Sequence, residues 1–386
     1  MTTSTSTDVL VIGAGPFGIS LSAYLAHFGI DHCVVGEPMA FWKHHMPRGM
    51  LLRSGLDWHL DALGERTLAA FATERGLRPQ QVDPLTLAFY LEYGRWFQDA
   101  YGVRPRAAAV KSLHRASGGG FIADCGDEAI TARNVVVATG FRDFAHIPPE
   151  LAARLPNAHY GHTCDVVDLE AFADKAVLIV GGRQSAFEWA ALLADTGARR
   201  VDLTYRHDTP RFQPSDWSWV GDLMERTRVD PGWYRRLNEH DRSELGQRFW
   251  AEGRLKLEPW LAPRIDTPAV HLWPRTNIAS SEALSDERVS VRLDSGTQLD
   301  CDFVVLATGY KVDITRVPFL ADGDVLDEIA RHDGAPALGE DLQSSLPGLY
   351  FTSMAATADF GPFFAFTVSV RCSTALIGDS LRSRVG

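Results

Sequence analysis

One short stretch near the start of the sequence carries residues suited to holding phosphate groups. The stretch Gly13-Ala-Gly15-Pro16-Phe17-Gly18 follows an apolar run over residues 8–12 and precedes an apolar helical stretch over residues 19–28. In this pattern the first glycine makes a tight turn, the second lets the backbone approach a pyrophosphate, and the third lets helix and strand pack closely. The start of the helix adds unpaired N–H groups and a positive dipole end. The stretch therefore predicts a dinucleotide site.

An acidic residue at the expected distance supports this interpretation. A second apolar run, His32 to Gly36, is followed at once by Glu37, 24 residues after Gly13. An acid near this spacing accepts hydrogen bonds from a ribose. The glycine pattern alone leaves an ordinary strand–helix turn open as the alternative, whereas the ordered strand, helix, strand and acid favour the dinucleotide site.

A second stretch, Leu178 to Ala190 (LIVGGRQSAFEWA), has the same arrangement with one change. Gly181 keeps the tight turn and Ala186 keeps the small packing position, but Arg183 stands where the middle glycine is usual. A guanidinium pairs well with two phosphate oxygens, so Arg183 can replace the glycine as a phosphate ligand. The alternative is a loop that no longer binds nucleotide, with Arg183 in solvent.

Arg206 occupies the place of the ribose-binding acid in this second stretch, 25 residues after Gly181. An arginine there accommodates a 2′-phosphate and indicates NADPH in preference to NADH. An exposed arginine after a strand is also a common surface feature, but together with Arg183 it favours NADPH.

The elements around the two stretches repeat as well. Each is followed by a predicted hairpin, around Gly118–Gly120 and around Asp294–Gly296, and then by a strand ending in Ala-Thr-Gly. These ends are Thr139-Gly140 and Thr308-Gly309. The repeat predicts an α/β fold of two Rossmann-like three-layer dinucleotide-binding domains, the second inserted in the first.

Composition excludes several classes of function. The net charge of −11 argues against a nucleic-acid or anionic-membrane binder, and no apolar run approaches the ~20 residues of a membrane span. The N-terminal MTTSTSTD is interpreted as a short disordered leader without a secretion signal. Five scattered cysteines without a C-x-x-C pair fit a reducing cytoplasm and speak against a disulfide reductase. We therefore expect a cytoplasmic protein, with a homo-oligomer left open.

Four motifs resemble the single-chain flavin-dependent monooxygenases that use FAD and NADPH, most closely their amine N-hydroxylating branch of ornithine and lysine N-monooxygenases. They are Gln184-Ser185-Ala186 with Glu188, the signature Asp302 to Tyr310, Trp42 followed by Gly49-Met50-Leu51, and Pro84 to Leu91. The resemblance implies a FAD-binding domain over residues 1–165 that is completed by 306–386. It implies an NADPH-binding domain over 166–305. The tryptophan-rich stretch near 212–273 is expected as an insertion in this domain, with one helix near residues 235–253, and forms either a lid or a packing layer.

The resemblance and the two loops together give one set of expected cofactor-binding residues. These are Gly13, Gly15, Pro16, Phe17, Gly18, Glu37, Trp42, Thr139, Gly140, Phe360 and Gly361 for FAD, and Gly181, Arg183, Gln184, Ser185, Arg206, Thr308 and Gly309 for NADPH. His162 is a candidate hydrogen-bond donor near the flavin, with a structural loop histidine as the alternative. No metal site is expected, since the adjacent His44 and His45 point in different directions.

The implied reaction is a flavin monooxygenation of a small molecule. NADPH would reduce FAD, and the reduced flavin would form a C4a-(hydro)peroxide with O₂ that oxygenates a heteroatom, for which we expect an amine nitrogen. Gly221 and Thr315 depart from the residues usual in amino-acid hydroxylases, and the Baeyer–Villiger motif is absent around His162. The alternatives are a ferredoxin-reductase-like NADPH oxidoreductase and a non-catalytic NADPH or flavin sensor.

Overall fold

The computed structural model describes residues 3–285 and 288–385. Within these ranges the strands, in chain order, are β1 (Thr3–Ile12), β2 (His32–Val35), β3 (Leu51–Leu52), β4 (Leu85–Thr86), β5 (Ser112–Arg115), β6 (Phe121–Asp124), β7 (Glu128–Val137), β8 (Tyr160–His162), β9 (Ala176–Val180), β10 (Arg200–Tyr205), β11 (Arg211–Phe212), β12 (Lys256–Leu257), β13 (Val270–Pro274), β14 (Ile278–Ser285), β15 (Arg288–Leu293), β16 (Gln298–Cys301), β17 (Phe303–Leu306), β18 (Arg331–His332), β19 (Ala335–Pro336) and β20 (Leu349–Phe351).

The helices of the same ranges are α1 (Pro16–His27), α2 (Ala40–His44), α3 (Leu68–Glu74), α4 (Leu87–Tyr101), α5 (Pro149–Ala152), α6 (Gln184–Asp195), α7 (Ser218–Val229), α8 (Glu239–Arg254), α9 (Ala262–Ile265), α10 (Pro318–Ala321), α11 (Thr357–Phe360) and α12 (Val370–Val385). None of the helices in the described part of the chain is long and apolar enough to cross a membrane.

The first large sheet has the strand order β2-β1-β7-β6-β5, and β20 joins it beside β7. β1, β2, β7 and β20 run parallel, while β5 and β6 form the hairpin predicted around Gly118–Gly120. Val135, Val136 and Val137 in β7 are buried, as expected for a central strand of a covered parallel sheet. Helix α1 packs against β1 and β2 and contacts α12.

The N-terminal segment corrects one expectation. Residues 3–8 do not form a disordered leader but extend β1, whose parallel register with β7 runs from Thr3 beside Glu128 to Ile12 beside Val137. The β-branched threonines of this segment suit a strand, although their polarity hid the signal. Met1 and Thr2, the rest of the predicted leader, lie outside the described residues.

The second large sheet has the order β13-β10-β9-β17-β8, and all its neighbouring pairs are parallel. A separate antiparallel sheet, β14-β15-β16, contains the hairpin predicted at Asp294–Gly296. The second sheet lies in sequence between β7 and β20 of the first, which confirms the predicted fold class of one dinucleotide unit inserted in another. The domain ranges remain a proposal, and β8 moves the proposed start of the second unit to before Tyr160.

The tryptophan-rich segment contains three helices, α7, α8 and the short α9, where the sequence predicted one. α8 agrees with the helix expected near residues 235–253, whereas α7 and α9 were not predicted. α7 places Trp219 and Val220 in the core of the first unit, with the Trp219 ring 6.2 Å from that of Phe363. Part of the segment is therefore a packing layer, and Trp250 of α8 is 49% exposed.

Candidate functional site

A large cavity of about 1290 Å³ is bordered by both glycine-rich loops. Most of the residues predicted to bind cofactor line it: Gly13, Gly15, Pro16, Phe17, Glu37, Trp42, Thr139, Gly140, Gly181, Arg183, Ser185, Arg206, Thr308 and Gly309. They meet because β1, β7, β9 and β17 all end here, and the carboxyl ends of parallel strands form the usual ligand crevice.

The first loop has the geometry that its glycines predict. Gly13 has a φ of +112°, and a Cβ there would lie 2.4 Å from the carbonyl oxygen of Ala138. A Cβ on Gly18 would lie 1.9 Å from the carbonyl oxygen of Gly13. Gly15 differs, since a Cβ there would meet no atom within 4 Å. The protein thus leaves open space in front of Gly15, as a bound pyrophosphate requires.

Glu37 lies at the end of β2 and borders the cavity. His44 Nε2 lies 2.9 Å from both carboxylate oxygens of Glu37, and Lys43 Nζ lies 3.4 Å from one of them. The hydrogen bond with His44 is the main cause that lowers the pKa of Glu37. The carboxylate is therefore held ionised as an acceptor, which suits ribose hydroxyls.

The second loop repeats this geometry. Gly181 has a φ of +146°, and a Cβ there would lie 2.7 Å from the carbonyl oxygen of Ala307. Arg183 (φ −115°, ψ −178°) has the same extended backbone as Gly15 (φ −80°, ψ −170°). The backbone at Arg183 therefore does not require glycine, and the two loops differ at this position only in what the side chain adds.

Both helices that follow the loops begin without a side-chain cap. Gly15, the N-cap of α1, has no side chain, and the side chain of Arg183, the N-cap of α6, accepts no hydrogen bond from its helix. Pro16 at the first position of α1 has no N–H, but the other N–H groups in the first turn of each helix are left to bind an anion at the cavity. The open space at Gly15 and these donors fit the pyrophosphate of a dinucleotide at each loop.

The Arg183 side chain already has partners in the protein. One guanidinium nitrogen donates to the backbone carbonyl of Arg254, and the guanidinium carbon lies 4.9 Å from the centroid of the Trp250 ring. Partial burial, with the nearby Arg254 and Arg206 guanidiniums, lowers the pKa of Arg183. Arg183 is thus not simply solvated, as the degraded-loop alternative supposed.

Five of the predicted site residues do not line the cavity: Gly18, Gln184, His162, Phe360 and Gly361. Gln184 points into the protein, where its amide accepts from the backbone N–H of Glu258 at 3.1 Å and donates to Glu188 at 3.3 Å. Phe360 is fully buried, with its ring 4.9 Å from that of Phe364. Gly18 serves the packing between helix and strand described above.

His162 is buried behind the cavity wall and does not itself line the cavity. Its Nε2 lies 2.9 Å from the carbonyl oxygen of Gly309, and its Nδ1 lies 3.1 Å from the Cys164 thiol. Burial lowers the pKa of His162. These contacts favour the structural alternative, in which His162 fixes the loop that carries Gly309.

Several cavity residues carried no signal in the sequence. Ser353 lines the cavity in a left-handed conformation (φ +60°), and its buried hydroxyl finds no hydrogen-bond partner among the described residues. Ser54 and Thr367, whose hydroxyls are 3.4 Å apart, also line it. Ser54 lies far in sequence from Ser353 and Thr367, and none of the three belongs to a motif, so the sequence alone does not mark them as site residues.

Two dinucleotide loops on one cavity define the class of two-nucleotide oxidoreductases. Residues 10–228 match the family described as pyridine nucleotide-disulphide oxidoreductase, and the chain belongs to this family. None of its five cysteines lines the cavity, so no dithiol is available there.

Relatives and solved structures point to flavin-dependent enzymes. The FAD-dependent urate hydroxylase of Xanthomonas campestris is 28% identical over 54% of this chain and 47% of its own length. A ferredoxin–NADP reductase of Thermus thermophilus is 30% identical over 57% of this chain and 58% of its own length. The chain thus spans about half the length of these two curated relatives. The ornithine N-hydroxylase of Kutzneria sp. 744 superposes over 99% of this chain and 100% of its own, with a TM-score of 0.83 at 14% identity. The fold expected from the motifs is thereby confirmed.

Proposed function

We propose that this chain is a FAD- and NADPH-dependent monooxygenase that oxygenates a heteroatom of a small molecule, in the first place an amine nitrogen. The observation that supports it most is one cavity bordered by two dinucleotide-type loops and lined by no cysteine. Such a cavity lets NADPH and flavin meet, and it provides no dithiol as the next electron acceptor. The ornithine N-hydroxylase named above shares this fold along the whole chain.

The reaction balances with NADPH, O₂ and one proton taken from solvent. NADPH gives two electrons as a hydride, one oxygen atom of O₂ is added to the substrate nitrogen, and the other leaves as water. Bound FAD supplies this redox chemistry. The protein residues hold the cofactors: Gly15 and the start of α1 take the FAD pyrophosphate, Glu37 takes its ribose, and Arg183 with Arg206 takes the NADPH phosphates.

Part of the cavity wall is apolar and is suited to shielding the reacting atoms from water. Met46, Met50 and Phe366 line the cavity and carry no charged groups. A cavity wall of this kind limits side reactions of the reduced cofactor with solvent. It also suits the uncharged form of an amine, which is the form with a nucleophilic lone pair.

The decisive experiment mixes NADPH-reduced protein rapidly with oxygenated buffer and follows the absorbance. We expect a transient absorbance that depends on oxygen and differs from that of oxidised flavin. An amine that is a substrate should shorten the lifetime of this signal as hydroxylated product appears. Immediate return to oxidised flavin with one H₂O₂ per NADPH, for every amine tried, would contradict the proposal.

A ferredoxin-reductase-like oxidoreductase is the second candidate, favoured by the similarity to the Thermus thermophilus enzyme. It predicts rapid NADPH-dependent reduction of a ferredoxin or dye and no oxygenated product. A protein that binds both nucleotides but consumes no NADPH with any acceptor would instead be a sensor.

Arg206 should determine the preference for NADPH. It lies just after β10 on the cavity wall, exposed and open to a 2′-phosphate. Arg206→Ala should lose about 1–3 kcal/mol of discrimination between NADPH and NADH, as expected for a charge-assisted phosphate contact. The measurement compares kcat/KM for the two nucleotides, with Arg211→Ala as control, because Arg211 is exposed nearby but does not line the cavity. Equal efficiency with both nucleotides in the wild type would refute this role.

A further inference from the structure

The C-terminal end of helix α8 reaches the same cavity as the two nucleotide loops. Trp250 and Arg254, both on α8, line it together with Arg183 and Arg206. Neither residue belongs to a nucleotide-binding motif, because α8 lies in the tryptophan-rich insertion. The insertion thus adds a wall to the nucleotide site.

Arginines from both units hold this end of α8. Arg53, just after β3, donates to the carbonyls of Gly253 (3.1 Å) and Glu252 (3.2 Å) and pairs with Glu258 at 2.8 Å. Arg183 donates to the carbonyl of Arg254. The last carbonyls of a helix lack internal partners and carry the negative end of its dipole, so cations stabilise them. The position of α8 is therefore tied to the second loop itself.

The charge around the second loop is unbalanced. The neighbouring Arg53, Arg264 and Arg275 each have a carboxylate partner. By contrast, three arginines on the cavity wall form no ion pair with a carboxylate of residues 3–285 and 288–385. They are Arg183, Arg206 and Arg254. Burial and the Arg53 guanidinium lower the pKa of Arg254. Burial and the guanidiniums of Arg254 and Arg206 lower the pKa of Arg183. An anionic ligand would relieve this repulsion between like charges.

Trp250 connects two of these arginines. The guanidinium carbons of Arg183 and Arg254 lie 4.9 Å and 5.9 Å from the centroid of its indole ring. Arginine stacks favourably on the face of an indole. One half-exposed ring thus orients both guanidiniums at the edge of the cavity.

We propose that Trp250 and Arg254 complete the nicotinamide-nucleotide site. Arg254 binds the pyrophosphate together with Arg183, and Trp250 is a positioning residue for both. Arg206, just after the neighbouring strand β10, binds the 2′-phosphate. This inference rests on the proposed function, in which the second loop binds NADPH.

The experiment measures the binding of NADP⁺ and of NAD⁺ to the oxidised flavoprotein by calorimetry. Arg254→Gln should weaken both nucleotides by the same factor, roughly 10- to 100-fold for a charge-assisted phosphate contact, because the pyrophosphate is common to both. Flavin content should stay at one per chain. Arg254→Lys, which keeps the charge without the planar fork, should fall between Arg254→Gln and wild type. Trp250→Leu should weaken both nucleotides too.

Arg248→Gln is the matched control. Arg248 is on the same helix but stacks on Trp219, 4.3 Å from its ring, and does not line the cavity. The Arg248→Gln variant should bind NADP⁺ and NAD⁺ with the affinities of the wild type. Wild-type affinity in Arg254→Gln, or a loss confined to NADP⁺, would overturn the inference. A wild-type protein that binds FAD but neither nucleotide would overturn the proposed function, and this inference with it.

Discussion

Gly15→Val should give a folded protein without colour. A Cβ at Gly15 would meet no protein atom within 4 Å, and the backbone there has a φ of −80°, which valine adopts readily. The substitution therefore leaves the fold intact, whereas its branched side chain fills the space in front of α1 that the FAD pyrophosphate needs. We expect flavin content to fall from one per chain to nearly none, measured by absorbance of the purified protein, with an unchanged circular dichroism spectrum.

Gly118→Val serves as the control. Gly118 lies in the hairpin turn between β5 and β6, and a Cβ there would also meet nothing within 4 Å. It does not border the cavity, so this variant should remain yellow. Full flavin in Gly15→Val would show that the first loop is not the FAD site.

Arg183→Gly should weaken NADPH binding although it restores the usual glycine pattern. The backbone at Arg183 is extended and unstrained, so a glycine there would relieve no steric conflict. The change removes a charged phosphate ligand, worth about 1.5–3 kcal/mol, and the contact of Arg183 with the end of α8. We expect the KM for NADPH to rise while FAD content is unchanged, because the first loop is untouched.

The degraded-loop alternative predicts the opposite result for the same variant. If Arg183 only blocks the loop, glycine should improve it, and NADPH should bind more tightly. Steady-state NADPH oxidation at matched flavin content separates the two. Arg183→Lys is a useful intermediate, since it keeps the charge and loses the bidentate geometry. Tighter binding in Arg183→Gly would reject Arg183 as a phosphate ligand.

The repeated loops made most of the fold predictable, because each loop requires a strand before it and a helix after it. The sequence was less informative where polar residues form regular structure. Residues 3–8 extend β1 although they are serines, threonines and an aspartate, since pairing with β7 outweighs their polarity. α7 escaped prediction because its apolar residues are few and its packing partners, such as Phe363, are distant in sequence.

The residues of the candidate site also fall into a group that the sequence predicted and a group that it did not. Loop residues such as Gly15 and Arg183 were found from local spacing, and the structure places them on one cavity. Trp250, Arg254 and Ser353 could not be found, because tertiary packing alone brings them there. Phe360 and Gly361 were expected beside the flavin from the resemblance; neither lines the cavity, and Phe360 is buried against Phe364.

The strands of the first sheet are separated in sequence by the whole second unit, and this has a consequence for synthesis on the ribosome. β20 pairs with β7, and α12 packs on α1 through hydrogen bonds from Tyr24 to Asp379 (2.7 Å) and between Ser20 and Thr374 (2.8 Å). These contacts join the earliest and the latest segments of the chain, whereas the inserted second unit is continuous in sequence. The second unit can therefore fold while the chain is still growing, and the first unit must wait, with the α12-facing side of α1 uncovered, until α12 has been made. Chaperone capture during translation should accordingly concentrate on the exposed α1 face.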